Sequence, residues 1–452
     1  MRTWNIGIVG GGPGGLMTAY FLQNTSNSPM RVTMFEASDR LGGKILTPQF
    51  SKLPARYEAG AAEFYDYSPV GVDPLRELIE ELGLPINSIG GSAVIMDDEI
   101  LSNLDDIHEQ LGPDVHRSLL TFDRVSKDWM SPAEYYAADH VDPIGKAPPA
   151  QYFDTVLSKI QPAETRRFLE NLIHSDLATE PRRTSVSYGL QNYLMNDPRY
   201  MQLYGIVGGN QQLPEELARR IDADKRMRHQ VLEVGRRDDG MMVVTSVCDG
   251  VTKQDAFDFV VVALPNNYLP TVKFTGERLQ QAITAHHSHY NHPAHYLRMT
   301  LLFEKPFWRE RVNDSYFMLD QFGGCCLYDE SSREPEVSYG VLGWLLGGEP
   351  AESMSTKTDD ELIQSALDSL PAPLKDGRKY FLEGRVHRWL SAVNAMPGGI
   401  TPRSMDLRHQ PEPHEHKNLY VVGDYLFDST LNGVFDSAEY VAEWLSARML
   451  ED

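Results

Sequence analysis

The sequence predicts an α/β protein in which a domain with a central parallel sheet is interleaved with a mixed α+β domain. Three short apolar runs, at 4–9, 259–263 and 419–422, are each followed by Gly or Pro. Such runs are typical of parallel strands, because those strands are buried on both faces. Since they lie far apart along the chain, we expect two discontinuous domains. One comprises 1–90, 205–270 and 385–452, and the other comprises 91–204 and 271–384.

The segments between the three runs are expected to build the second domain. Polar stretches with helical spacing of apolar residues occur at about 70–83, 103–138 and 151–178. Alternating apolar and polar residues at 297–303 and 337–346 predict strands.

The composition is that of a globular chain of 452 residues, of which 41% are hydrophobic and 23% are charged. Lys and Arg number 42 against 64 Asp and Glu, so the net charge is −22. This charge disfavours nucleic acids and anionic membrane surfaces as partners. The acid excess either only aids solubility or attracts a cationic small-molecule substrate.

Targeting and redox signals are weak throughout the sequence. The first residues lead directly into a strand without the pattern of a signal peptide. No apolar run approaches the ~18 residues of a membrane span, and the three cysteines provide no disulfide framework. We therefore expect a cytoplasmic protein.

A strand at 4–9, a glycine turn and a helix at 16–23 open the chain. The first glycine of the turn permits a tight bend, the second lets the backbone approach a pyrophosphate, and the last lets the helix pack on the strand. The N-terminus of the helix then stabilises negative charge. The turn residues that we assign to cofactor binding are Gly10, Gly12, Pro13, Gly14 and Gly15.

A second strand at 31–35 completes a β-α-β unit of the Rossmann type and is followed by Glu36. A carboxylate at this position accepts hydrogen bonds from the ribose hydroxyls of a dinucleotide. FAD and NAD both use this fingerprint, so other parts of the chain must distinguish them.

The residues from Glu36 to Lys44 follow the pattern E-A-x-x-R-x-G-G-K, which includes Ala37, Arg40 and Gly43. This pattern resembles the second glycine signature of the flavin amine oxidase superfamily. The superfamily includes monoamine and polyamine oxidases, L-amino-acid oxidases, protoporphyrinogen oxidase and carotenoid desaturases. Lys44 stands where the family usually has Arg, which keeps the charge but loses the bidentate fork.

Further landmarks extend the resemblance over most of the chain, most weakly from about 95 to 200. The segment 58–61 resembles the E-x-G-A segment that passes by the flavin, 208–217 resembles the glycine entry to a helix, and 419–438 resembles the terminal flavin motif. The resemblance implies that the backbone of Val231 meets adenine and that Asp424 holds a ribityl or pyrophosphate group. The other residues that it assigns to FAD are Gly60, Ala61, Ala62, Glu63, Trp389, Gly423, Gly433, Val434 and Phe435.

The resemblance also implies how the cofactor is held. It implies that the helix that begins near Gly433 points its N-terminus at the N1–C2=O edge of the isoalloxazine ring. In family members with covalent flavin the attachment cysteine lies in the loop matched by 393–399, which contains no cysteine here. The resemblance therefore implies noncovalent FAD. Trp389 occupies the Trp position of the family, although a buried core Trp is the alternative.

Two departures from the family concern the flavin face. The segment 303–308 resembles an F-x-x-P-F-W strand end, and eight residues before its proline the family has a Lys that holds a water on flavin N5. Here the residue is Arg298, which cannot act as a base toward that water but can order it. The alternative is an outward-facing surface Arg. Val434 replaces one aromatic wall of the family's cage unless Phe435, Tyr425 or Phe427 substitutes for it.

The substrate end carries an acid among aromatic residues. Glu63 precedes Phe64, Tyr65 and Tyr67, and this combination suits a cationic group. The alternative is that Glu63 pairs with an internal arginine such as Arg56 or Arg385.

Five histidines at 286–295 crowd what the sequence predicts to be a loop. Their spacing matches no standard zinc pattern, so we expect no metal site. Either His292 or His295 is expected to face the substrate as an acid or base.

These residues predict an FAD-dependent oxidoreductase that takes a hydride from a C–N bond of an amine or amino acid, with hydrolysis of the imine and reoxidation by O2 or another acceptor. The alternatives are a C–C dehydrogenase or desaturase and a redox-silent flavoprotein that acts as a binding platform. The residues expected at the reacting centre are Arg298, Trp389, Glu63 and His295.

Overall fold

The computed structural model describes residues 2–137, 152–334, 336–398, 400, 403–427 and 429–451. The protein has an α/β fold around a five-stranded parallel sheet. The strand order is Leu419–Val421, Phe259–Val262, Trp4–Val9, Met30–Phe35 and Ala223–Arg226. All three apolar runs of the sequence thus lie side by side in this sheet.

Helices cover one face of the parallel sheet. The first helix, Pro13–Thr25, packs against the last helix, Leu431–Glu451, and the rings of Phe21 and Phe435 meet between them at 4.8 Å. The other face packs on a four-stranded sheet through a shared apolar core. The strand order of that sheet is Val251–Phe257, Met242–Cys248, Gln230–Arg236 and Lys273–Phe274.

A seven-stranded mixed sheet forms the second large unit. Its long strand Pro293–Phe303 pairs on both sides, with Phe381–Asn394 and with Gly340–Gly347. The strand order is Phe381–Asn394, Pro293–Phe303, Gly340–Gly347, Cys325–Asp329, Tyr316–Leu319, Val94–Met96 and Glu99–Leu101. The predicted domain boundary at 385 falls within the first of these strands, and the division into two domains stays a prediction.

A small three-stranded sheet joins the region of the glycine turn to the substrate side. Its strand order is Phe64–Asp66, Gln202–Ile206 and Ile86–Ile89. The remaining α-helices are Pro74–Glu81, Leu104–Leu111, Pro113–Trp129, Pro132–Ala137, Asp154–Leu157, Ala163–Leu177, Val186–Leu194, Gln212–Arg220, Glu277–Tyr290, Gly348–Met354, Asp359–Asp368 and Met405–His409. Short 3-10 helices lie at Pro181–Arg183, Asn266–Thr271, Phe307–Glu310, Glu330–Arg333, Ala372–Tyr380 and Asp424–Leu426.

Two features differ from the sequence expectation. The stretch 103–138 divides into three helices because Pro113 and Pro132 each begin a new one. Residues 138 and 151, at the ends of two expected helical stretches, lie outside the described residues, as does Gly399 of the expected flavin loop. The expected histidine loop is wrong, since His286, His287 and His289 lie on the helix Glu277–Tyr290. Within the described ranges, no helix is long and apolar enough to cross a membrane.

Candidate active site

The glycine turn lies at the carboxyl edge of the parallel sheet. Gly10 adopts φ +111° and lies against the carbonyl of Ala263, which ends the neighbouring strand. A Cβ at Gly15 would collide with the carbonyl oxygen of Gly10, so the helix packs directly on the turn. At Gly12, the N-cap of the helix Pro13–Thr25, a Cβ would meet only Gly43, at 3.8 Å. The start of this helix therefore faces open space.

Glu36 lies beside the turn after the second strand of the sheet. Its carboxylate accepts hydrogen bonds from the Gly11 N–H at 2.9 Å and from the N–H and hydroxyl of Ser38 at 2.8 and 2.7 Å. Ala37 between them is exposed. A carboxylate offers about four acceptor positions, so Glu36 retains capacity for a further donor.

The second glycine segment closes over the turn. The guanidinium of Arg40 donates to the carbonyls of Leu41 and Ile45 at 3.3 Å and of Gly43 at 2.6 Å. Arg40 therefore orders this loop. A Cβ at Gly43 would lie 3.1 Å from the Cα of Gly12, which shows how closely the two glycine segments approach.

Lys44 connects this loop to the last strand of the sheet. Its Nζ donates to the carbonyl of Ala392 at 2.6 Å and lies 3.0 Å from Oδ2 of Asp424. Ala392 and Asp424 line a cleft that also includes Asn266 and Tyr425. The structure thus brings together Lys44, Asp424 and the end of the strand that carries Trp389.

The start of the last helix lies near the glycine turn. Gly423 donates its N–H to the Ser437 hydroxyl at 3.1 Å, and a Cβ at Gly14 would lie 3.6 Å from Val434. The Phe435 ring packs on Phe21 in the interhelical core. Gly433, between them, is buried and donates its N–H to Thr430 at 3.2 Å.

The two other candidates for the missing aromatic wall also pack on protein rings. Tyr425 lies against His286 and Tyr290, at 5.9 and 5.5 Å. Phe427 lies 5.9 Å from His409.

Val231 is buried in the strand Gln230–Arg236. The segment before it lies close to Glu36, because the His229 N–H donates to the Glu36 carbonyl at 2.8 Å. The adenine-side candidates Val231 and Glu36 are therefore close to each other in the fold.

Trp389 lies half-buried beside the segment that begins at Gly60. Its indole N–H donates to the Ala59 carbonyl at 2.6 Å. A Cβ at Gly60 would collide with the Lys44 carbonyl, which also accepts a hydrogen bond from the Ala61 N–H at 3.1 Å. Side-chain bulk at Gly60 would therefore break the contact between this segment and Lys44.

His295 lies on the strand that pairs with the strand of Trp389. Its Nδ1 accepts from the Ser391 N–H at 3.2 Å, and its Nε2 lies 4.0 Å from the Glu352 carboxylate. The imidazole is therefore held between Ser391 and Glu352. His292 also uses its ring on the protein, with Nε2 3.1 Å from the His289 carbonyl.

Arg298 lies inside the protein with 1% of its surface exposed, which excludes the outward-facing alternative. It forms an ion pair with Glu330, which is 2% exposed, and its guanidinium lies 5.0 Å from the Tyr328 ring centroid. Among the described residues, its Nε and Nη1 have no hydrogen-bond partner. Arg298 therefore has donors available to the interior.

A network of charges continues from this pair. Glu330 lies 3.2 Å from Nε of Arg333. Glu58 accepts hydrogen bonds from the Asn210 N–H at 2.8 Å and the Thr47 hydroxyl at 2.9 Å. Burial raises the pKa of Glu58 to about 7, while Arg333 opposes this rise.

Glu63 lies in the same interior. Burial raises the pKa of its carboxyl, and Arg298 is the cation that most opposes the rise. Both arginines considered from the sequence bind elsewhere, since Arg56 donates to the Gly208 carbonyl and Arg385 pairs with Glu383. Within the described chain, Oε2 of Glu63 is buried without a hydrogen bond.

A second interior acid, Asp176, was missed from the sequence. Burial and the nearby Glu63 together raise its pKa to about 8. Asp176, Glu63 and the neighbouring Tyr65, Tyr188 and Tyr296 each keep part of their surface accessible. A signal existed in the sequence, because an acid in the last turn of a helix is unfavourable and calls for an explanation.

The cysteines and histidines outside this interior form no metal site in the described part of the chain, where no group of three potential ligands could hold an ion. Cys325 and Cys326 are buried free thiols in a strand. His286 is buried, and the loss of hydration lowers its pKa to about 3.

Known proteins identify the family. A family model described as flavin containing amine oxidoreductase matches residues 13–445. Cyclohexylamine oxidase from Brevibacterium oxydans IH-35A is similar over 100% of both chains, with a TM-score of 0.74 and 19% identity. Wild-type putrescine oxidase bound to putrescine is similar over 99% of this chain and 100% of that chain, with a TM-score of 0.72 and 18% identity.

At these identities the solved structures establish the fold, whereas a comparison with curated protein sequences finds no match. The family model extends from the first residue of the helix Pro13–Thr25 into the last helix, and it includes the second glycine segment and the Trp389 strand. The protein is therefore an oxidoreductase enzyme that belongs to the flavin-containing amine oxidoreductase family.

Proposed function

We propose that this enzyme binds FAD noncovalently and oxidises the C–N bond of a small cationic amine, with O2 as the electron acceptor. The observation that carries the proposal is the continuity of the segment from Gly60 to Glu63. At one end it contacts Lys44 and Trp389, and at the other it places Glu63 in the tyrosine-walled interior. Four consecutive residues thus link the expected flavin position to an acidic interior.

The residues present fit FAD. The open space at Gly12 and the free N–H groups at the start of the helix Pro13–Thr25 suit a pyrophosphate. Glu36 would accept from a ribose hydroxyl. Asp424, which pairs with Lys44, lines the cleft at the carboxyl edge of the sheet, where ligands bind in such folds. The three cysteines at 248, 325 and 326 lie outside the loop where covalent attachment occurs, and their reduced state supports a cytoplasmic location.

When bound, FAD supplies the hydride acceptor for conversion of the amine to an imine. The chain contributes binding, orientation and exclusion of water. Glu63 and the tyrosine faces attract a cation, because both present negative charge to the interior. Trp389 is held in place by the Ala59 carbonyl. Arg298 keeps its proton and offers hydrogen-bond donors, so it can order water or substrate but cannot accept a proton.

Anaerobic spectrophotometry of the holoenzyme tests this function. A panel of primary and secondary amines and amino acids is added while the visible flavin band is followed, and air is then admitted. We expect bleaching with cationic amines and return of the band in air. Glu63→Gln is expected to raise the amine concentration needed for half-maximal bleaching. The control is Glu164→Gln, which removes one exposed carboxylate.

Failure of every amine to bleach a flavin that dithionite reduces would overturn the proposal. A C–C dehydrogenase is the second candidate, which Arg298 and Val434 favour because they stand where amine oxidases carry Lys and an aromatic residue. Bleaching by an alkene precursor but by no amine would support this candidate. Bleaching by amines that persists in air would retain the amine chemistry and replace O2 by another acceptor.

A further inference from the structure

We propose that Asp176, together with the carboxyl end of the helix Ala163–Leu177, binds the cationic group of the substrate. The inference rests on the proposed function in one respect, which is that the cation belongs to an amine substrate. Asp176 would then select cationic substrates, although it lies outside the segments that bind the cofactor.

The position of Asp176 favours a cation. It lies in the last turn of its helix, where the exposed carbonyls carry partial negative charge. The hydroxyl of Tyr296 approaches the Asp176 carbonyl at 3.4 Å. Among the described residues, the Asp176 carboxylate has neither a hydrogen bond nor an ion pair. A cation placed here would meet both the carboxylate and the end of the helix.

Several buried acids of the protein are paired. Glu58 has two hydrogen bonds and faces Arg333, and Glu330 pairs with Arg298 and Arg333. A buried carboxylate without a partner is costly, so acids that serve only the fold are expected to be paired in this way. Asp176 departs from this pattern, and part of its surface is accessible, as are parts of Glu63, Tyr65, Tyr188 and Tyr296 around it.

The surroundings provide no protein cation for Asp176. The titratable groups that interact with Asp176 are Glu63, Tyr65, Tyr296, Tyr316, Tyr328 and Cys326, and Tyr188 lies beside Tyr65 and Tyr296. Burial raises the pKa of Tyr65, Tyr296, Tyr316, Tyr328 and the Cys326 thiol, so these groups are neutral. Glu63 is a second acid in this region and makes binding of a cation more favourable. The aromatic rings provide faces suited to an alkylammonium group.

Binding of a cation is expected to release a proton. The pKa of about 8 means that the empty Asp176 holds its proton at neutral pH, and a bound cation stabilises the ionised form. Affinity should therefore rise with pH, by up to about tenfold per unit below pH 8. Glu63 also holds its proton more tightly than an exposed acid, so the residual pH dependence in Asp176→Asn reports Glu63.

The test uses tert-butylammonium chloride as probe and tert-butanol as its neutral counterpart. The probe has no hydrogen on the carbon that bears nitrogen, so it binds without being oxidised. Calorimetric titration of the FAD-loaded enzyme at pH 6.5, in two buffers with different ionisation heats, gives the Kd and the number of protons released. The variants are Asp176→Asn and the control Glu164→Gln, which removes an exposed carboxylate from the first turn of the same helix.

We expect wild type and Glu164→Gln to bind the cation with similar Kd and to release close to one proton. Asp176→Asn should bind it about tenfold more weakly, release little, and bind tert-butanol as wild type does. Equal affinity of Asp176→Asn and wild type for the cation would overturn the inference. Absence of cation binding or of proton release in the wild type would also overturn it, and this measurement needs no variant.

The outcome is separable from that of the proposed function. If amines bleach the flavin but Asp176→Asn binds tert-butylammonium normally, the inference fails and the function stands. If cation binding depends on Asp176 but no amine reduces the flavin, the site is supported and the proposed reaction fails.

Discussion

Arg298 carries a full charge at a position almost closed to water, and Glu330 beside it is equally buried. The attraction within such a pair mainly offsets the cost of removing both charges from water. The consequence is asymmetric, because loss of one partner is far more costly than loss of both.

Arg298→Met is therefore expected to lower the free energy of unfolding by about 3–5 kcal/mol, since Glu330 loses its closest counter-ion. The double variant Arg298→Met with Glu330→Gln should recover part of this loss. Urea unfolding followed by circular dichroism measures both values. Arg117→Met, which breaks an exposed pair with Asp114, serves as control and should cost about 1 kcal/mol or less. Equal effects at the two sites would contradict the prediction.

Asp176 should reduce the stability of the substrate-free enzyme as pH rises. Its folded-state pKa of about 8 exceeds the usual value of 3.8, so the folded state binds the extra proton between these pH values. The contribution is full below about pH 4 and is lost as pH approaches 8. Asp176→Asn cannot titrate, so it should gain about 4 kcal/mol relative to wild type between pH 5 and pH 8. Parallel stability curves for the two proteins, measured by urea unfolding, would show that this reasoning is wrong.

At the scale of the element, two glycines at the start of the first helix are required for different reasons. Gly15 is required by the protein itself, because a Cβ there would collide with the Gly10 carbonyl. Gly12 has no such restriction, with a negative φ of −78° and only Gly43 near a built Cβ. A glycine is needed at this position because the pyrophosphate that we propose would lie against it.

Gly12→Ala should leave the free energy of unfolding of the cofactor-free protein nearly unchanged and weaken FAD binding by about tenfold or more. Gly15→Ala should lower the stability of the cofactor-free protein, since the helix must move away from the turn. Fluorescence titration with FAD and urea unfolding of both variants provide the comparison. If Gly12→Ala bound FAD with normal affinity, the pyrophosphate would not lie beside Gly12.

The elements that sequence predicted best are those set by local signals. The strand, glycine turn and helix at the start of the chain needed only neighbouring residues, and the structure has them at Trp4–Val9 and Pro13–Thr25. The histidines at 286–295 were expected in one loop that leads into the strand of Arg298. Those at 286, 287 and 289 lie on a helix because Leu279, Ile283, His286 and Tyr290 form its buried face. Burial of a neutral imidazole is a tertiary property that the pattern does not reveal.

At the scale of the whole molecule, the net charge of −22 should draw cationic substrates toward the enzyme. Salt screens this attraction, since the Debye length falls from about 30 Å at 0.01 M to about 10 Å at 0.1 M. We expect kcat/KM for the best amine to fall several-fold over that range while kcat stays constant. Stopped-flow reduction of the flavin measures this effect. A value of kcat/KM that is independent of salt would assign the acid excess to solubility alone.

The parallel sheet was predictable because three apolar runs, distant in sequence, had the same character. The meeting of Glu63 with Asp176 was not, since these residues come from different elements and the second lies where the family resemblance is weakest. The position of Arg298 followed from the resemblance, but its partner Glu330 follows only from the pairing of strands Pro293–Phe303, Gly340–Gly347 and Cys325–Asp329.

The strand order of the parallel sheet has a consequence for how the chain is made. The sheet takes its edge strand from Leu419–Val421, and the helix that covers the first helix is Leu431–Glu451. A ribosome that adds ~5–20 residues per second produces these segments on the order of 20–80 s after the first strand emerges. During that time the early strands expose unpaired edges and apolar surface. Translation speed and chaperone capture are therefore expected to determine the yield of active enzyme. The stability of the folded enzyme is not expected to determine this yield.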